Sequence, residues 1–245
     1  MGPVATLPQV AASLYRDCGP FPFGFARGKL KHDPIMLDLL LLGCLSRQDA
    51  SAARLLDLGC GQGLLFAMLE ASARVARDSQ IAAGSLPALP IAWTKGFDAA
   101  SSNVRWGQAM LAGRDQPRLT AEIVVADIRT VDLPVCDIVV AIDVLHYMPH
   151  FDQERLLRKI AAALAPGGRL ILRVGDAAQA RASRISSWVD RVVAAVRGQG
   201  RAPLWPRPLA DWTRLLQQCG FEATAVKTYR SWWAVNVLLR GDKLN

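Results

Sequence analysis

The sequence predicts an α/β fold with a doubly wound, mostly parallel sheet, and three observations support this prediction. Short runs of strand-forming residues alternate with runs of helical periodicity, which is typical of strand–helix–strand units. The run DIVVAI at 137–142 is apolar at almost every position, as expected of a strand buried on both faces. The chain has 245 residues, 51% of them hydrophobic, which suits one domain with a sizeable core.

The elements follow from the same alternation along the chain. Strands are predicted at 54–58, 91–97, 122–126, 137–142 and 169–174. Helices are predicted between them at 64–74, 99–111 and 153–164. In LAPGGRLIL (164–172) we expect a helix end, a Pro-Gly-Gly turn and then a strand. The final runs FEATAVKTY and WWAVNVLLR predict a hairpin of two strands.

Two segments lie outside this core within the single predicted domain. Residues 1–50 carry helical periodicity around a loop, FPFGFARGKLKHDP, and are predicted to form a substrate or lid segment. Asp33 and Pro34 suit the N-cap and first position of the following helix. Residues 177–217 predict a helical insertion, with helices near 183–196 and 209–219. The long connection 75–90 is predicted to be mobile.

Composition limits the class of protein. The five cysteines are scattered and lack metal-ligand spacing, so we expect a reduced, cytoplasmic chain without structural zinc. No run is long enough to span a membrane, and the first residues do not resemble a signal peptide. The net charge is +8, and eight arginines lie between 173 and 214. Such a face attracts nucleic acid, anionic lipid or an acidic protein, or is simply solvated.

The run RLLDLGCGQGLL (54–65) is the most informative stretch. Gly59, Gly61 and Gly63 follow an apolar strand and precede a helix, as in loops that approach a nucleotide. A dinucleotide fingerprint requires a sixth-position glycine, where this chain has Leu64. A phosphate-binding P-loop requires a lysine, which the run lacks. These departures exclude both types of site.

The run instead resembles motif I of the class I S-adenosylmethionine-dependent methyltransferases. The resemblance covers roughly residues 50–175 and implies the seven-stranded, Rossmann-like methyltransferase fold, with an antiparallel last strand. It implies that S-adenosylmethionine is the cofactor and that Asp57 meets its ammonium group. The loop residues expected along the cofactor are Gly59, Cys60, Gly61 and Gly63. Alternatively, Asp57 only forms a turn, and Cys60 is a small packing residue.

Acidic residues follow the next three predicted strands. Asp98 lies where the family places its ribose-binding acid, although it could instead cap the next helix. Asp127 is placed to accept from the adenine amino group, with Ile128 beside the ring. Asp143, at the tip of strand four, is expected at the cofactor or in catalysis.

The candidate catalytic groups are Asp143, His146 and Tyr147, in the run AIDVLHYMP. Methyl transfer to a hydroxyl requires alignment and removal of a proton. His146 is the best candidate base because imidazole titrates near neutral pH, but it could simply line the pocket. The DPPY or NPPY motif typical of nitrogen methylation is absent. No metal site is predicted, although Asp143 leaves a divalent-ion mechanism open.

The flanking segments are similar to a bacterial methyltransferase group associated with aryl-polyene pigment biosynthesis. The similarity rests on FPFGFARGKLKHDPIMLDLL, RVGDA, SSWVDRVV and RPLADW. It implies methylation of an aromatic, 4-hydroxyphenyl head group, either at a ring carbon or at oxygen, on a carrier-bound intermediate. The arginine-rich span would then dock an acidic acyl carrier protein. Tryptophans expected along an aromatic channel are Trp188, Trp205, Trp212, Trp232 and Trp233.

Three other functions remain open from the sequence. The pI of 9.7 is consistent with an RNA methyltransferase, although no RNA-binding motif accompanies it. A methyltransferase acting on the oxygen of an unrelated phenol or carboxylate has the same cofactor motifs. A non-catalytic module with this fold would only bind a partner, against which the intact motif I argues.

Overall fold

The structure is a computed structural model that describes residues 3–47, 51–78, 89–115, 117–180, 203–228 and 236–244. The chain divides into two compact units, Met1–Val140 and Ala141–Asn245. Within the described residues, the strands form a seven-stranded sheet in the order β3-β2-β1-β4-β5-β7-β6. The predicted helix 183–196, most of the predicted connection 75–90 and the start of the predicted last strand lie outside the described residues. No described helix has both the length and the apolar character that a membrane crossing requires.

The first unit holds four strands and most of the described helices. Its helices are α1 (Pro3–Ser13), α2 (Pro20–His32), α3 (Ile35–Leu41), α4 (Leu64–Asp78) and α5 (Ser101–Ala112). Its strands are β1 (Ala53–Leu58), β2 (Ile91–Asp98), β3 (Ala121–Val125) and β4 (Cys136–Ile142), the last of which crosses the boundary of the units. β1 pairs in parallel with β2 and β4, and β2 with β3, which places the carboxyl ends of these strands at one edge.

The second unit holds the antiparallel part of the sheet. Its strands are β5 (Leu164–Gly175), β6 (Phe221–Val226) and β7 (Asn236–Lys243), and its helices are α6 (His150–Ala163), α7 (Ala177–Ala180) and α8 (Leu209–Gln218). β7 pairs antiparallel with both β5 and β6. The predicted fold class, with its antiparallel last strand, is therefore confirmed.

Burial explains why the central strands hold their place. β4 is buried from Cys136 to Ala141 and β1 from Leu55 to Leu58, so both strands are covered on two faces. α4 buries Leu64 to Leu69 without interruption. Strands that are apolar throughout are typical of the centre of a parallel sheet.

The predicted loop FPFGFARGKLKHDP is wrong, because most of it forms α2. Glycine and proline usually mark loops, but here Pro20 stands at the first helical position, where a missing N–H costs nothing. Pro22, Ala26 and Leu30 recur every four residues and are buried, so packing of one face stabilises the helix. The Asp33 carboxylate accepts the Ile35 N–H at 3.2 Å, but α3 begins at Ile35, so Pro34 stands at the N-cap rather than at the predicted first helical position.

The predicted Pro-Gly-Gly turn is also wrong. β5 begins directly after α6, at Leu164, and runs without a break through Pro166 and Gly168. Gly167 takes a left-handed φ of 67°, and the Lys243 Nζ donates to the Leu164 carbonyl at 2.6 Å. The strand therefore starts five residues earlier than the prediction of 169.

Candidate functional site

Asp57 lies in the interior of the sheet near the end of β1. Its parallel neighbours are Gly96 in β2 and Val140 in β4, and only 5% of the residue is exposed. Burial, and then the charge of Asp98, raises its pKa to about 7. No basic side chain in the described part of the chain forms an ion pair with Asp57. A buried carboxylate without a cation is costly, so this group is suited to a cationic ligand.

The glycine loop turns around the end of β2 through backbone contacts. The N–H groups of Gly59 and Cys60 both donate to the Phe97 carbonyl, at 2.8 and 3.1 Å. Gly59, Gly61 and Gly63 take φ values of 76°, 56° and 78°, in the left-handed region that favours glycine. Three such residues within five positions explain why the loop needs this sequence.

Asp98 is the last residue of β2, and its carboxylate contacts the glycine loop. One oxygen accepts the Gly61 N–H at 2.9 Å, and the other accepts the Ala100 N–H at 2.8 Å, just before α5. Asp98 therefore contacts both the start of α5 and the glycine loop. Asp98 and Asp57 are close enough for the charge of Asp98 to raise the pKa of Asp57.

The side chain of Cys60 fills space beside Gly96. A Cβ built on Gly96 would lie 2.7 Å from the Cys60 Sγ, so the thiol occupies the space that a side chain at Gly96 would need. Burial, and then the charges of Asp57 and Asp98, raises the pKa of the thiol well above its usual value. A buried, protonated thiol is a poor nucleophile, so Cys60 can contribute to a cofactor site only through its backbone.

Asp127 and Ile128 follow β3, next to the Asp98 strand. The Ala126 N–H donates to the Asp98 carbonyl at 3.1 Å, which joins the two strand ends. The Asp127 carboxylate accepts the backbone N–H of Arg129 at 2.9 Å and pairs with its guanidinium at 2.6 Å. Ile128 is buried. The predicted adenine acceptor thus already holds a neighbouring cation, which the sequence did not indicate.

Tyr15 supports the glycine loop and was missed at the sequence level. Its hydroxyl donates to the Gln62 carbonyl at 2.7 Å, and the residue is fully buried. Burial raises its pKa well above 10, so the hydroxyl stays protonated and available as a donor. The Gln62 side chain is also buried, and its Oε1 has no hydrogen-bond partner in the described structure. Nothing local to residues 10–18 signals this contact, because 47 positions separate Tyr15 from Gln62.

Two glycines allow α5 to approach the loop closely. A Cβ on Gly63 would lie 2.6 Å from the Ile123 Cδ1, and a Cβ on Gly107 would lie 2.7 Å from the same atom and 3.0 Å from the Gln62 carbonyl oxygen. Gly107 stands in the middle of α5, where glycine costs about 1 kcal/mol relative to alanine. A glycine inside a run of helical periodicity is the sequence signal that could have indicated the close approach of α5 to the loop.

Asp143 is held by an ion pair in the second unit. Both of its oxygens meet the Arg173 guanidinium, with the Nε–Oδ1 distance at 2.7 Å, and its N–H donates to the Arg173 carbonyl at 3.2 Å. Among the described residues, Asp143 is the only non-glycine residue with a positive φ, at 55°. A charged residue in an apolar strand, such as Arg173, requires a partner, but the sequence does not indicate which acid supplies it.

His146 and Tyr147 lie on a short 3-10 turn, Leu145–Tyr147, directly after β4. Both side chains are half-buried, and their ring centroids are 4.1 Å apart. The His146 carbonyl accepts the Trp205 N–H at 2.8 Å. The predicted catalytic residues Asp143, His146 and Tyr147 therefore belong to one loop, whereas the other predicted cofactor residues belong to the first unit.

The arginine-rich span is only partly available to a partner. Arg173 pairs with Asp143, Arg207 with Glu154, and Arg214 with Asp211. The remaining arginines of the span, at 181, 184, 191, 197 and 201, lie outside the described residues. Of the five tryptophans expected along a channel, Trp212 is buried in the core, Trp205 is 37% exposed, and the others lie outside the described residues.

A family model described as methyltransferase domain matches residues 34–226. The chain belongs to this methyltransferase family. The match covers the glycine loop, the strand-end acids and the His146 turn. It confirms the predicted class, the S-adenosylmethionine-dependent methyltransferases. It does not test the predicted membership in the aryl-polyene group within that class.

The chain is similar to proteins that act with the same cofactor. It is 32% identical over 120 residues to the carboxy-S-adenosyl-L-methionine synthase of Psychrobacter arcticus, over 49% of this chain and 40% of that relative. The chain thus spans well under half the length of that relative. The magnesium protoporphyrin IX methyltransferase of Synechocystis PCC 6803 with bound SAM superposes with a TM-score of 0.56 at 16% identity, over 100% of this chain and 98% of the other. Human N-acetylserotonin methyltransferase in complex with SAM gives 0.52 at 18% identity, over 78% and 48%.

Proposed function

We propose that the chain transfers a methyl group from S-adenosylmethionine to the 4-hydroxyphenyl head group of a carrier-bound, polyene-like intermediate. The observation that carries the cofactor assignment is the pair of carboxylates, Asp57 and Asp98, around the left-handed glycine loop. Burial, and then the charge of Asp98, raises the pKa of Asp57, and a bound cation would offset the cost of keeping these carboxylates ionised. The cofactor carries two cationic groups, a sulfonium and an ammonium, and one carboxylate.

Each cofactor residue then has a defined task. Asp57 holds the ammonium group, and Asp98 accepts from the ribose hydroxyls with the lone pairs that the Gly61 and Ala100 N–H groups leave free. Asp127 accepts from the adenine amino group, next to the buried Ile128. The unpartnered Gln62 Oε1 supplies one further buried acceptor. When bound, the sulfonium supplies an electrophilic methyl group.

The acceptor side is assigned to the turn after β4. His146 takes the proton from the phenolic oxygen and leaves that oxygen with its full negative charge. S-adenosylmethionine, when bound, would supply the methyl group, and S-adenosylhomocysteine would be the leaving group. Tyr147 and the exposed Trp205 provide aromatic surface for the ring. Asp143 orients this loop through its ion pair with Arg173.

Calorimetry with S-adenosylhomocysteine tests the cofactor assignment. We expect Asp57→Ala and Asp127→Ala each to weaken binding by at least about tenfold, since each loses a charged or polar contact worth about 1.5 to 3 kcal/mol. Asp132→Ala is the matched control, because Asp132 is an exposed acid shortly after Asp127. Unchanged affinity in both site variants would refute the assignment.

Transfer of radiolabelled methyl groups tests the acceptor. We expect incorporation into a 4-hydroxyphenyl acyl thioester and not into its 4-methoxyphenyl analogue, with His146→Ala slower by about 100-fold, a typical effect of losing a general base. His150→Ala is the control imidazole. Incorporation into the methoxy analogue at the same rate would move the acceptor away from the phenolic oxygen.

The RNA alternative is tested by the same label. The net charge of +8 favours it, because phosphate binding depends on cations. Incorporation into bulk RNA, together with steep loss of RNA binding as salt rises, would replace the small-molecule acceptor. A phenolic acyl thioester supplied without a carrier protein predicts transfer that varies little with salt.

A further inference from the structure

A buried glutamine holds the His146 turn. Gln153 lies in the first turns of α6 and is 0% exposed. Its amide nitrogen donates toward three backbone carbonyls, those of Leu145, Met148 and Trp205, at 3.1, 3.0 and 2.8 Å. With two N–H groups and three acceptors, at least one N–H is shared, and the donor capacity of the amide is fully used.

The acceptors of this amide surround His146. Leu145 and Met148 flank the turn, and the Trp205 N–H donates in return to the His146 carbonyl. The turn is therefore held at both ends and at its centre, whereas its imidazole is left half-buried. Such an arrangement fixes the backbone from which the side chain of His146 projects.

The oxygen of the same amide is bound by an arginine from a distant part of the chain. The Arg207 Nε donates to the Gln153 Oε1 at 2.7 Å, and its Nη2 donates to the His150 carbonyl at 3.1 Å and to Glu154 at 2.9 Å. The guanidinium also lies 5.8 Å from the Trp212 ring centroid. Arg207 thus ties residues 203–208 to the start of α6.

The same short segment is joined to the end of β5. The Ala177 N–H donates to the Arg207 carbonyl at 3.1 Å, and Asp176 accepts the Leu209 N–H at 3.1 Å. Residues 203–208 therefore bridge the strand that carries Arg173 and the turn that carries His146. All of these contacts lie within the second unit.

We propose that Gln153 is a positioning residue for His146, and that Arg207 couples residues 203–208 to the turn through the Gln153 amide. A buried amide costs free energy unless its hydrogen bonds are made, and here the amide satisfies three backbone carbonyls and the Arg207 Nε. Polar networks of this kind specify one geometry rather than adding stability. The catalytic consequence rests on the proposed function of His146 as base, whereas the structural coupling does not.

The chain offers a direct probe, because it contains only three histidines, His32, His146 and His150. We would record imidazole NMR spectra of histidine-labelled full-length protein and assign them with His32→Gln and His150→Gln. In Gln153→Met we expect the His146 signal to shift or broaden and its titration curve to move, while His32 keeps its position. S-adenosylhomocysteine affinity should stay within about twofold, because the cofactor residues assigned to the first unit are untouched.

The matched control is Gln108→Met. Gln108 also donates to a backbone carbonyl, that of Ile123 at 2.8 Å, but in the first unit. It should leave the His146 signal unchanged. A His146 signal that is the same in Gln153→Met as in the wild type, with only a lower melting temperature, would overturn the proposal and leave Gln153 a purely structural residue.

A second variant keeps the test readable if Gln153→Met does not fold. Arg207→Met frees the amide oxygen but leaves the amide nitrogen with its carbonyls, so we expect a large change at His150 and a smaller one at His146. No change at His146 in this variant would overturn the coupling. Once an acceptor substrate is known, Gln153→Met and Arg207→Met should each lower kcat by about tenfold with little change in KM for the cofactor. If the wild-type protein does not bind S-adenosylhomocysteine, the proposed function is refuted, whereas the NMR result on Gln153 and His146 still stands.

Discussion

The glycine loop of the first unit and the His146 turn of the second follow opposite electrostatic designs. At the loop, no described cation pairs with Asp57, and burial, followed by the nearby charge of Asp98, raises the pKa of Asp57. At the turn, Asp143 is paired with Arg173, and the Gln153 amide has a partner at every position. The loop keeps unfavourable charge that a cationic ligand would relieve. The turn has its polar groups satisfied in advance and so gives the half-buried imidazole of His146 a rigid support.

The two regions also differ in how the backbone is used. The loop depends on glycines with left-handed φ and on the absence of side chains that would clash with Ile123. The turn depends on side chains that reach backbone carbonyls from elsewhere in the sequence. Substitutions should therefore damage the loop by steric strain and the turn by loss of hydrogen bonds and charge pairing.

The largest effect is expected where the loop is most crowded. Gly63→Val places a side chain at φ 78° and within 2.6 Å of Ile123, so we expect a loss of about 3 kcal/mol or more in the free energy of unfolding. Urea denaturation measures it. Gly28→Ala is the control, because no atom lies within 4 Å of a Cβ there and α2 gains a better helix former. A loss below about 1 kcal/mol at Gly63 would contradict the crowding argument.

The next effect tests the unpaired charge of Asp57 through pH. The folded protein holds the Asp57 proton more tightly than the unfolded chain, so its stabilising contribution is present at low pH and is lost as pH rises through about 7. We expect wild-type stability to fall by about 2 kcal/mol more than that of Asp57→Asn between about pH 5 and about pH 8. Urea denaturation at the two pH values measures this difference, with Asp132→Asn as an exposed control. An equal pH dependence of the free energy of unfolding in wild type and Asp57→Asn would mean that folding does not raise the pKa of Asp57.

A similar loss is expected when the charge pairing of the turn is broken. Arg173→Met leaves the half-buried Asp143 without its partner, and we expect a loss of about 2 kcal/mol in the free energy of unfolding. Adding Asp143→Asn should recover part of this loss, and the coupling is read from the double-mutant cycle. Arg214→Met removes an exposed pair and should cost less than about 0.5 kcal/mol. Independent effects of the two changes would show that the pair contributes nothing.

The smallest effect concerns the support of the loop by Tyr15. Tyr15→Phe removes one buried hydrogen bond, so we expect a loss of about 1 kcal/mol in stability and an S-adenosylhomocysteine affinity several-fold weaker. Calorimetry and urea denaturation measure the two changes. Ser13→Ala is the control, because the Ser13 hydroxyl donates to the Val10 carbonyl and not to the loop. Unchanged affinity in Tyr15→Phe would show that this contact does not shape the cofactor loop.

Parts of the fold and site could be predicted because their signals are local. The apolar runs around 54–58 and 137–142 match β1 and β4 within a residue or so, since burial on both faces leaves a continuous apolar pattern. The glycine loop was recognised because positive φ requires glycine at each turn position. By contrast, α2 was predicted as a loop, because its glycines and prolines outweighed a buried face at four-residue spacing.

The long-range partners could not be predicted from the sequence. Arg173, Arg207 and Arg214 read as a solvated or docking face, yet each is paired within the chain. The partners of Arg173 and Arg207 lie 30 and more than 50 residues away, and nothing in the charge count distinguishes such a pair from free cations. Composition thus overestimated the cations available to an acidic partner.

The sequence by itself determined the fold class, the methyltransferase family and the acids at the strand ends, because these follow from periodicity and from short motifs whose residues are covalent neighbours. Only the tertiary structure decided that Tyr15 supports the loop, that Arg173 neutralises Asp143 and that Gln153 holds the His146 turn. Those contacts depend on strand register and helix packing. Register and packing bring together residues whose separation along the chain carries no pattern.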